Sequence, residues 1–172
     1  MLDRSQERKS ARRREAACGR TPEGSPAVPR IGLGMLLRTA DMTFNRAMRD
    51  ELAPHGITFS QFQHLFRLWE SDGLTQVELS RRIGIQMASS TSVLDSLERN
   101  GLIRRVRQSK DRRKINVFLT PAGAALEKPL TACAAGVNAR ARRGLSAAEV
   151  AMLFGIVGKI TNNLNGRTEE RG

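Results

Sequence analysis

A short polar stretch near the middle of the chain carries side chains that can hydrogen-bond to nucleic-acid bases. It reads Gln86-Met87-Ala88-Ser89-Ser90-Thr91-Ser92. An amide side chain can both donate to and accept from adenine, and hydroxyl groups can reach bases or phosphates. We expect contacts to DNA from Gln86, Ala88, Ser89, Ser90, Thr91 and Ser92, with Gln86 as the main reader of base edges.

A basic cluster follows this stretch. Residues 98–114 hold eight basic and two acidic side chains, ending in Lys110-Asp111-Arg112-Arg113-Lys114. Guanidinium groups are drawn to the negative potential of a narrow minor groove, which favours that role for Arg112 and Arg113. We expect phosphate contacts from the remaining basic residues where they face outward, namely Lys110, Lys114, Arg104, Arg105, Arg107, Arg81 and Arg82. For Arg81 and Arg82, simple exposure to solvent without a DNA contact is an equal alternative.

The elements that must position these groups can be read from local patterns. Thr75 and Glu78 form a capping box at the start of a helix that ends at Gly84, and a second helix runs from about Met87 to Asn100. Two helices joined by a tight glycine-containing turn, the second polar at its start, indicate a helix-turn-helix. Two strand-like runs, 102–107 and 115–119, enclose the basic loop and predict a β-hairpin, or wing.

Further helices flank this motif. Apolar residues recur at helical spacing over Ile31–Leu52, and a capping box at Thr58 begins another helix. Leu74 is expected to add a short third strand beside the wing. After the wing, Thr120 and Pro121 have the residue types of a helix start, and that helix should run to about residue 142.

The last helix has a broad apolar face. A capping box formed by Ser146 and Glu149 begins it, and its apolar face is too wide for a surface helix of a monomer. We therefore expect the first helix and the last two helices to form a dimer interface.

Three motifs together resemble the MarR family of bacterial transcriptional regulators, over roughly residues 31–165. They are Asn100-Gly101-Leu102-Ile103, Asp111-Arg112-Arg113 and Leu119-Thr120-Pro121-Ala122-Gly123. The resemblance implies a homodimer that binds a pseudo-palindromic operator in double-stranded DNA and is often released by a small ligand. It also implies that Asp111 holds Arg113 in place.

The predicted fold is mainly α with a small β-wing: a winged helix-turn-helix with N- and C-terminal dimerisation helices. Residues 1–30 form a basic arm that we expect to be disordered, and 31–56 a dimerisation helix. Residues 57–120 form the DNA-binding domain, 121–166 the C-terminal dimerisation helices and 167–172 a tail.

The resemblance also implies a ligand site between the dimer helices and the winged domain, for a phenolic or aromatic acid. An aromatic acyl-CoA would equally suit a basic protein. Arg38 or Arg49 could bind a carboxylate, and the aromatic side chains could enclose a ring. Aromatic residues that recur at helical spacing are, however, most often part of the hydrophobic core. His64 could line the pocket or face solvent. The candidate ligand residues are Arg38, Phe44, Arg49, Phe59, Phe62, His64, Phe66 and Trp69.

Composition limits the other classes of function. The chain has 172 residues, with 29 Lys and Arg against 17 Asp and Glu, so a net charge of +12 favours a polyanionic partner. No apolar run has the length of a signal peptide or a membrane span, and a cytoplasmic protein is expected. No motif for a metal, a cofactor or an enzyme active site is found.

The sequence favours a repressor that its ligand releases from DNA. A redox-sensing regulator acting through Cys133 is one alternative, because a thiol can respond to oxidants when it is exposed and acidic. A basic architectural nucleic-acid-binding protein without an effector is the other.

Overall fold

The computed structural model describes residues 32–108 and 114–166, which form seven α-helices, one short 3₁₀ turn and a two-stranded sheet. The elements in chain order are α1 (Leu33–Leu52), the 3₁₀ turn (Ala53–His55), α2 (Phe59–Glu70), α3 (Gln76–Ile83), α4 (Met87–Arg99), β1 (Ile103–Arg107), β2 (Ile115–Leu119), α5 (Pro121–Ala125), α6 (Glu127–Ala141) and α7 (Ala147–Asn165). The expectation of a mainly helical fold with a small β-wing is confirmed.

The chain divides into two compact units, residues 1–40 and 41–172. In the first unit the described residues are 32–40, which include the first turns of α1. The apolar side chains of Leu33, Met35 and Leu36 in this unit are more than half exposed. The second unit contains the helix-turn-helix, the wing and the C-terminal helices.

Local side-chain hydrogen bonds fix the starts of the helices. The expected capping boxes are present at α2, α3 and α7. At α3 the Thr75 hydroxyl accepts from the Glu78 amide, and a Glu78 carboxylate oxygen accepts from the Thr75 amide at 2.9 Å. The hydrogen bond from the Thr75 hydroxyl is the main cause that lowers the pKa of Glu78. These bonds satisfy amides that have no partner within the helix.

The core of the second unit is mainly aliphatic and draws on α1 to α4, α6 and both strands. Its buried hydrophobic residues are Met48, Leu52, Ile57, Phe62, Leu65, Leu68, Leu74, Leu79, Leu94, Leu97, Ile103, Val117, Leu130 and Val137. The helix-turn-helix is therefore held through α2, the helix that packs against both α3 and α4.

The wing is an antiparallel pair in which Ile103 lies opposite Leu119 and Arg107 opposite Ile115. The expected third strand at Leu74 is wrong as a strand, because the pairing there is a single bridge between Thr75 and Asn116. The Leu74 carbonyl accepts from the Val117 amide at 2.8 Å. The Asn116 side-chain amide donates to the Gly73 carbonyl, and the Asp72 carboxylate accepts from the Leu119 amide. These hydrogen bonds together fix the wing to the start of α3.

Gly123 allows α5 to lie directly against the start of the wing. A Cβ atom at this position would collide with the Leu102 carbonyl. The Gly123 carbonyl accepts a hydrogen bond from the Trp69 indole at 3.1 Å. A glycine is required here because the backbones of two elements approach each other closely.

The expected continuous helix from Pro121 to about residue 142 is instead two helices, with Leu126 between α5 and α6. Pro129 explains the interruption, because proline has no amide hydrogen to donate to the carbonyl of Ala125 four residues earlier and its ring crowds that carbonyl.

Helix α7 has no buried residue, and most of its large apolar side chains are exposed. Those exposed by more than a third are Met152, Leu153, Phe154, Ile156, Val157 and Leu164. Within the described parts of the chain, no helix combines the length and apolar character needed to cross a membrane.

Candidate nucleic-acid interface and ligand cavity

The turn between α3 and α4 presents the polar start of α4. Gly84 ends α3 in the left-handed conformation, with φ of 81°, which lets the chain reverse within two residues. Gln86 is the N-cap residue of α4, is exposed, and makes no side-chain capping bond. Its side-chain amide therefore lies at the surface with its hydrogen-bonding groups free of the helix cap.

The exposed positions on the first turns of α4 are Ala88, Ser89 and Ser92, and Thr91 is half-buried. The Thr91 hydroxyl donates to the Met87 carbonyl at 2.9 Å, and the Ser92 hydroxyl to the Ala88 carbonyl at 3.4 Å. With their hydrogens used within the helix, these two oxygens can still accept from the amino groups of bases.

Ser90 does not belong to this surface. The expectation that it contacts DNA is wrong in this structure, since its side chain is fully buried. Its hydroxyl oxygen lies 3.0 Å from Nε2 of His64, which is also fully buried. Ser90 points into the core because it is one helical turn before Leu94, which packs there.

The predicted wing-tip residues Lys110, Asp111, Arg112 and Arg113 lie outside the described residues. Lys114 and Arg107, at the ends of the two strands, are exposed. Arg81 and Arg82 are exposed at the end of α3. These four cations remain available for phosphates.

Arg105 departs from its expected role as a phosphate contact. Its guanidinium lies 2.7 Å from Asp95 and 2.7 Å from Glu98, both on α4. Its backbone amide also donates to Glu98 at 2.8 Å. These hydrogen bonds lower the pKa of Glu98, chiefly through the Arg105 side chain, and raise the pKa of Arg105. Arg105 therefore fastens β1 to α4.

Arg104 faces the other side of the strand. Its Cζ atom lies 4.7 Å from the centre of the Phe118 ring. This cation–π contact leaves the exposed guanidinium with all of its donors for another partner.

A cavity of about 270 Å³ lies beside α2 in the second unit. It is lined by Phe44, Met48, Phe59, Phe62, Gln63, Phe66, Arg67, Ile83, Ala134 and Asn138. The ring of Phe62 lies 6.4 Å from that of Phe59 and 5.8 Å from that of Phe66, so the aromatic wall is continuous.

Four of the expected ligand residues line this cavity, namely Phe44, Phe59, Phe62 and Phe66. The other candidate ligand residues of the second unit lie outside this lining. Arg49 is exposed outside the lining, Trp69 donates to the Gly123 carbonyl, and His64 is neither in the lining nor at the surface. Arg38 belongs to the N-terminal unit, where it is exposed.

The polar lining residues were missed by sequence reasoning. Gln63 and Arg67 follow Phe59 at intervals of four residues, so helical spacing could have indicated them. Asn138 comes from α6 and gave no signal. Arg67 lies 2.8 Å from Glu70, with its Cζ atom 5.8 Å from the centre of the Phe66 ring. The cavity thus combines an aromatic wall with one amide on each of two helices and a guanidinium.

Cys133 on α6 is half-buried and lies near a histidine. Its sulfur is 3.5 Å from Nε2 of His55 and 3.6 Å from the Glu51 carbonyl oxygen. Across residues 32–108 and 114–166, no group of three or more potential metal ligands occurs.

The arrangement of α3, α4 and the β1–β2 hairpin defines a winged helix-turn-helix protein. A model of the MarR family matches residues 57–115. The multiple antibiotic resistance protein MarR of Salmonella typhimurium is 31% identical over 131 residues, which are 76% of this chain and 91% of that protein. The chain belongs to the MarR family of DNA-binding transcriptional regulators.

Other relatives agree with this assignment. The transcriptional regulator TtmR of Methylorubrum extorquens is 32% identical over 114 residues, 66% of this chain, and the match spans 58% of TtmR. A mutant of E. coli MarR in complex with operator DNA has a TM-score of 0.70 and 29% identity, covering 74% of this chain and 92% of that one.

The structure of BpsR from Bordetella bronchiseptica has a TM-score of 0.70 and 26% identity, covering 75% of this chain and 98% of that one. DNA binding by BpsR is regulated by 6-hydroxynicotinic acid.

Proposed function

We propose that the protein is a homodimeric repressor that binds a pseudo-palindromic operator through α4 and the wing and is released by a one-ring aromatic acid. The observation that carries the DNA-binding part is the exposed start of α4, with Gln86 and Ser89 beside an excess of positive charge. A structural neighbour, E. coli MarR, has been solved with operator DNA. Such a role belongs with the bacterial chromosome in the cytoplasm.

The exposed apolar side chains support a dimer. Leu153 and Phe154 on α7 are 52% and 68% exposed, and other large apolar residues accompany them on the same helix. A contiguous apolar surface of this kind in an isolated chain marks an interaction site. In a twofold dimer, two copies of α4 enter successive major grooves about one helical turn apart, which explains a pseudo-palindromic operator.

The cavity beside α2 suits a small aromatic acid. Its volume of about 270 Å³ is at the lower limit of ligand pockets, which begin at about 300 Å³. It can enclose one ring but not a coenzyme A thioester, which makes the acyl-CoA the weaker of the two effector classes. Arg67 is the cation for a carboxylate, and Gln63 and Asn138 can donate to ring substituents.

Release from DNA follows if the ligand binds unequally to two forms of the dimer. Free protein populates a form whose two α4 helices match the half-site spacing, and the ligand favours a form that does not. The ligand can shift this equilibrium only by its difference in affinity for the two forms.

The test begins with operator selection from random duplexes. Affinity for the selected operator should exceed that for random DNA by at least about 10³. 6-Hydroxynicotinic acid and benzoic acid are then titrated in, with aniline as a ring that lacks the carboxylate. An acid that both raises the melting temperature and dissociates the operator supports the proposal. Equal affinity for every duplex would instead indicate an architectural protein.

A second candidate function rests on the contact of Cys133 with His55 at 3.5 Å. A neighbouring imidazole can hydrogen-bond to a thiol, and a thiol that oxidants can reach is open to oxidation by peroxides. Loss of operator binding after hydrogen peroxide, absent in the Cys133→Ser variant and reversed by dithiothreitol, would establish a redox regulator. Retention of binding in both proteins would exclude that function for Cys133.

A further inference from the structure

One polar pair is enclosed in the aliphatic core between α2 and α4. The side chains of His64 and Ser90 are both fully buried, and Nε2 of His64 lies 3.0 Å from the Ser90 hydroxyl oxygen. The other ring nitrogen, Nδ1, lies 2.7 Å from the Ser60 carbonyl oxygen. Buried polar groups are costly without hydrogen-bond partners, so each member of this pair depends on the other.

The hydrogen positions of this pair follow from its partners. The Ser60 carbonyl can only accept, so Nδ1 carries the hydrogen. Burial lowers the pKa of His64, and the hydrogen bond to Ser60 opposes this effect without cancelling it. At neutral pH the ring is therefore uncharged, and its Nε2 accepts a hydrogen bond from the Ser90 hydroxyl.

The pair lies at the place where the orientation of α4 matters most for reading bases. Ser90 is in the first turn of α4, between the exposed Ser89 and the half-buried Thr91, and it lies one helical turn before the buried Leu94. A second bond joins the same helices farther along, from Gln61 Nε2 to the Ser96 hydroxyl at 3.0 Å. Hydrogen bonds depend on distance and angle, whereas apolar contacts are non-directional, so these two bonds restrict both rotation and sliding of α4.

We propose that His64 is a positioning residue for operator recognition, holding the base-reading start of α4 in register through its hydrogen bond with Ser90. This inference rests on the proposed DNA-binding function. Helix α2, which carries His64, also supplies Phe62 and Phe66 to the ligand cavity. A movement of α2 on ligand binding would therefore reach α4 through a directional contact.

The experiment compares affinity for the selected operator with affinity for a random duplex, using the full-length protein. Ser90→Ala should reduce this specificity ratio about three- to tenfold, the worth of one hydrogen bond, while binding to random DNA through phosphates is unchanged. Ser60→Ala is the matched control, because it removes a hydroxyl from α2 and keeps the carbonyl that His64 contacts. His64→Gln, which can place an acceptor near Nε2, should retain most of the ratio.

A second variant separates positioning from simple stability. The double variant His64→Leu with Ser90→Ala removes both polar groups, so its melting temperature should equal or exceed that of the wild type. Its specificity ratio should nevertheless stay low, since no directional contact remains. If the double variant had both the stability and the specificity ratio of the wild type, the inference would be overturned. Such a result would show that apolar side chains filling the same space position α4 equally well.

Nitrogen-15 NMR of the histidine ring supplies an independent readout. The wild type should show hydrogen on Nδ1 of His64, and the Nε2 resonance should shift in Ser90→Ala. Hydrogen on Nε2 instead would overturn the inference. A wild-type protein without operator preference would remove the proposed function itself, whereas equal preference in the wild type and all His64 and Ser90 variants would remove only the positioning role.

Discussion

Replacing Glu98 by Gln removes one of the two carboxylate charges that tie α4 to the wing while keeping the size of the side chain. Glu98 accepts from the Arg105 backbone amide at 2.8 Å, from Arg105 Nε at 2.8 Å and from its terminal nitrogen at 2.7 Å. Its side chain is 37% exposed, so solvent screens part of the interaction. A buried charge-assisted hydrogen bond contributes about 1.5–3 kcal/mol and an exposed ion pair about 0.2–1 kcal/mol. For Glu98→Gln we expect a loss of about 1–1.5 kcal/mol.

A matched control exists in the same chain. Glu51 is 38% exposed, and among the described residues its carboxylate makes one ion pair, at 2.7 Å to Arg140. Glu51→Gln should therefore cost less than about 0.5 kcal/mol. In thermal unfolding of a chain of this length, Glu98→Gln should lower the melting temperature by about 2–5 °C and Glu51→Gln by at most about 2 °C. Equal losses in the two variants would refute the view that the triple contact of Glu98 fastens the wing.

The pH dependence gives a second check on Glu98. Its pKa in the folded protein lies below the usual value of 4.5. The carboxylate therefore contributes stability above that pH, and the contribution is lost as the pH falls through the folded-state pKa. The difference in unfolding free energy between wild type and Glu98→Gln should shrink on acidification below pH 4.5.

Three further predictions concern the interface, the wing and the core. Leu153→Asp places a charge on the apolar face of α7 and should convert a dimer to monomers in sedimentation, with the helical circular dichroism retained; an unaltered dimer would contradict the interface proposed here. Arg113→Ala should weaken operator binding and reduce the salt slope by about 1 without lowering the melting temperature, and unchanged affinity at several salt concentrations would remove this residue from the DNA contacts. Because burial lowers the pKa of His64 below 6.5, the unfolded chain binds its proton first, so stability should decline as the pH falls below 6.5. This decline should be smaller in the His64→Leu, Ser90→Ala double variant, and an equal decline would assign it to other groups.

Local patterns predicted the local structure well. The capping boxes at α2, α3 and α7 and the glycine at the end of α3 depend on residues within four positions of one another, so the sequence alone specifies them. The break between α5 and α6 could have been predicted in the same way, because Pro129 marks it. It was missed because the alanine-rich composition suggested one continuous helix.

Tertiary packing decided what local patterns could not. The hydroxyl run 89–92 gives no sign that Ser90 turns inward, since that depends on how α4 packs against α2. In the same way, a basic strand gives no sign that Arg105 is paired with two carboxylates on α4. The aromatic half of the cavity followed from the spacing on α2, whereas Asn138 lies on α6, more than seventy residues after those aromatic residues.

The position of Trp69 beside Phe62 has a spectroscopic consequence. Trp69 is the single tryptophan of a chain that has no tyrosine. Its ring lies 6.2 Å from that of Phe62, which lines the cavity. Indole fluorescence in this protein therefore arises from one side chain, which lies beside the cavity wall. Ligand titrations can follow its emission directly, without a dye and without altering any residue.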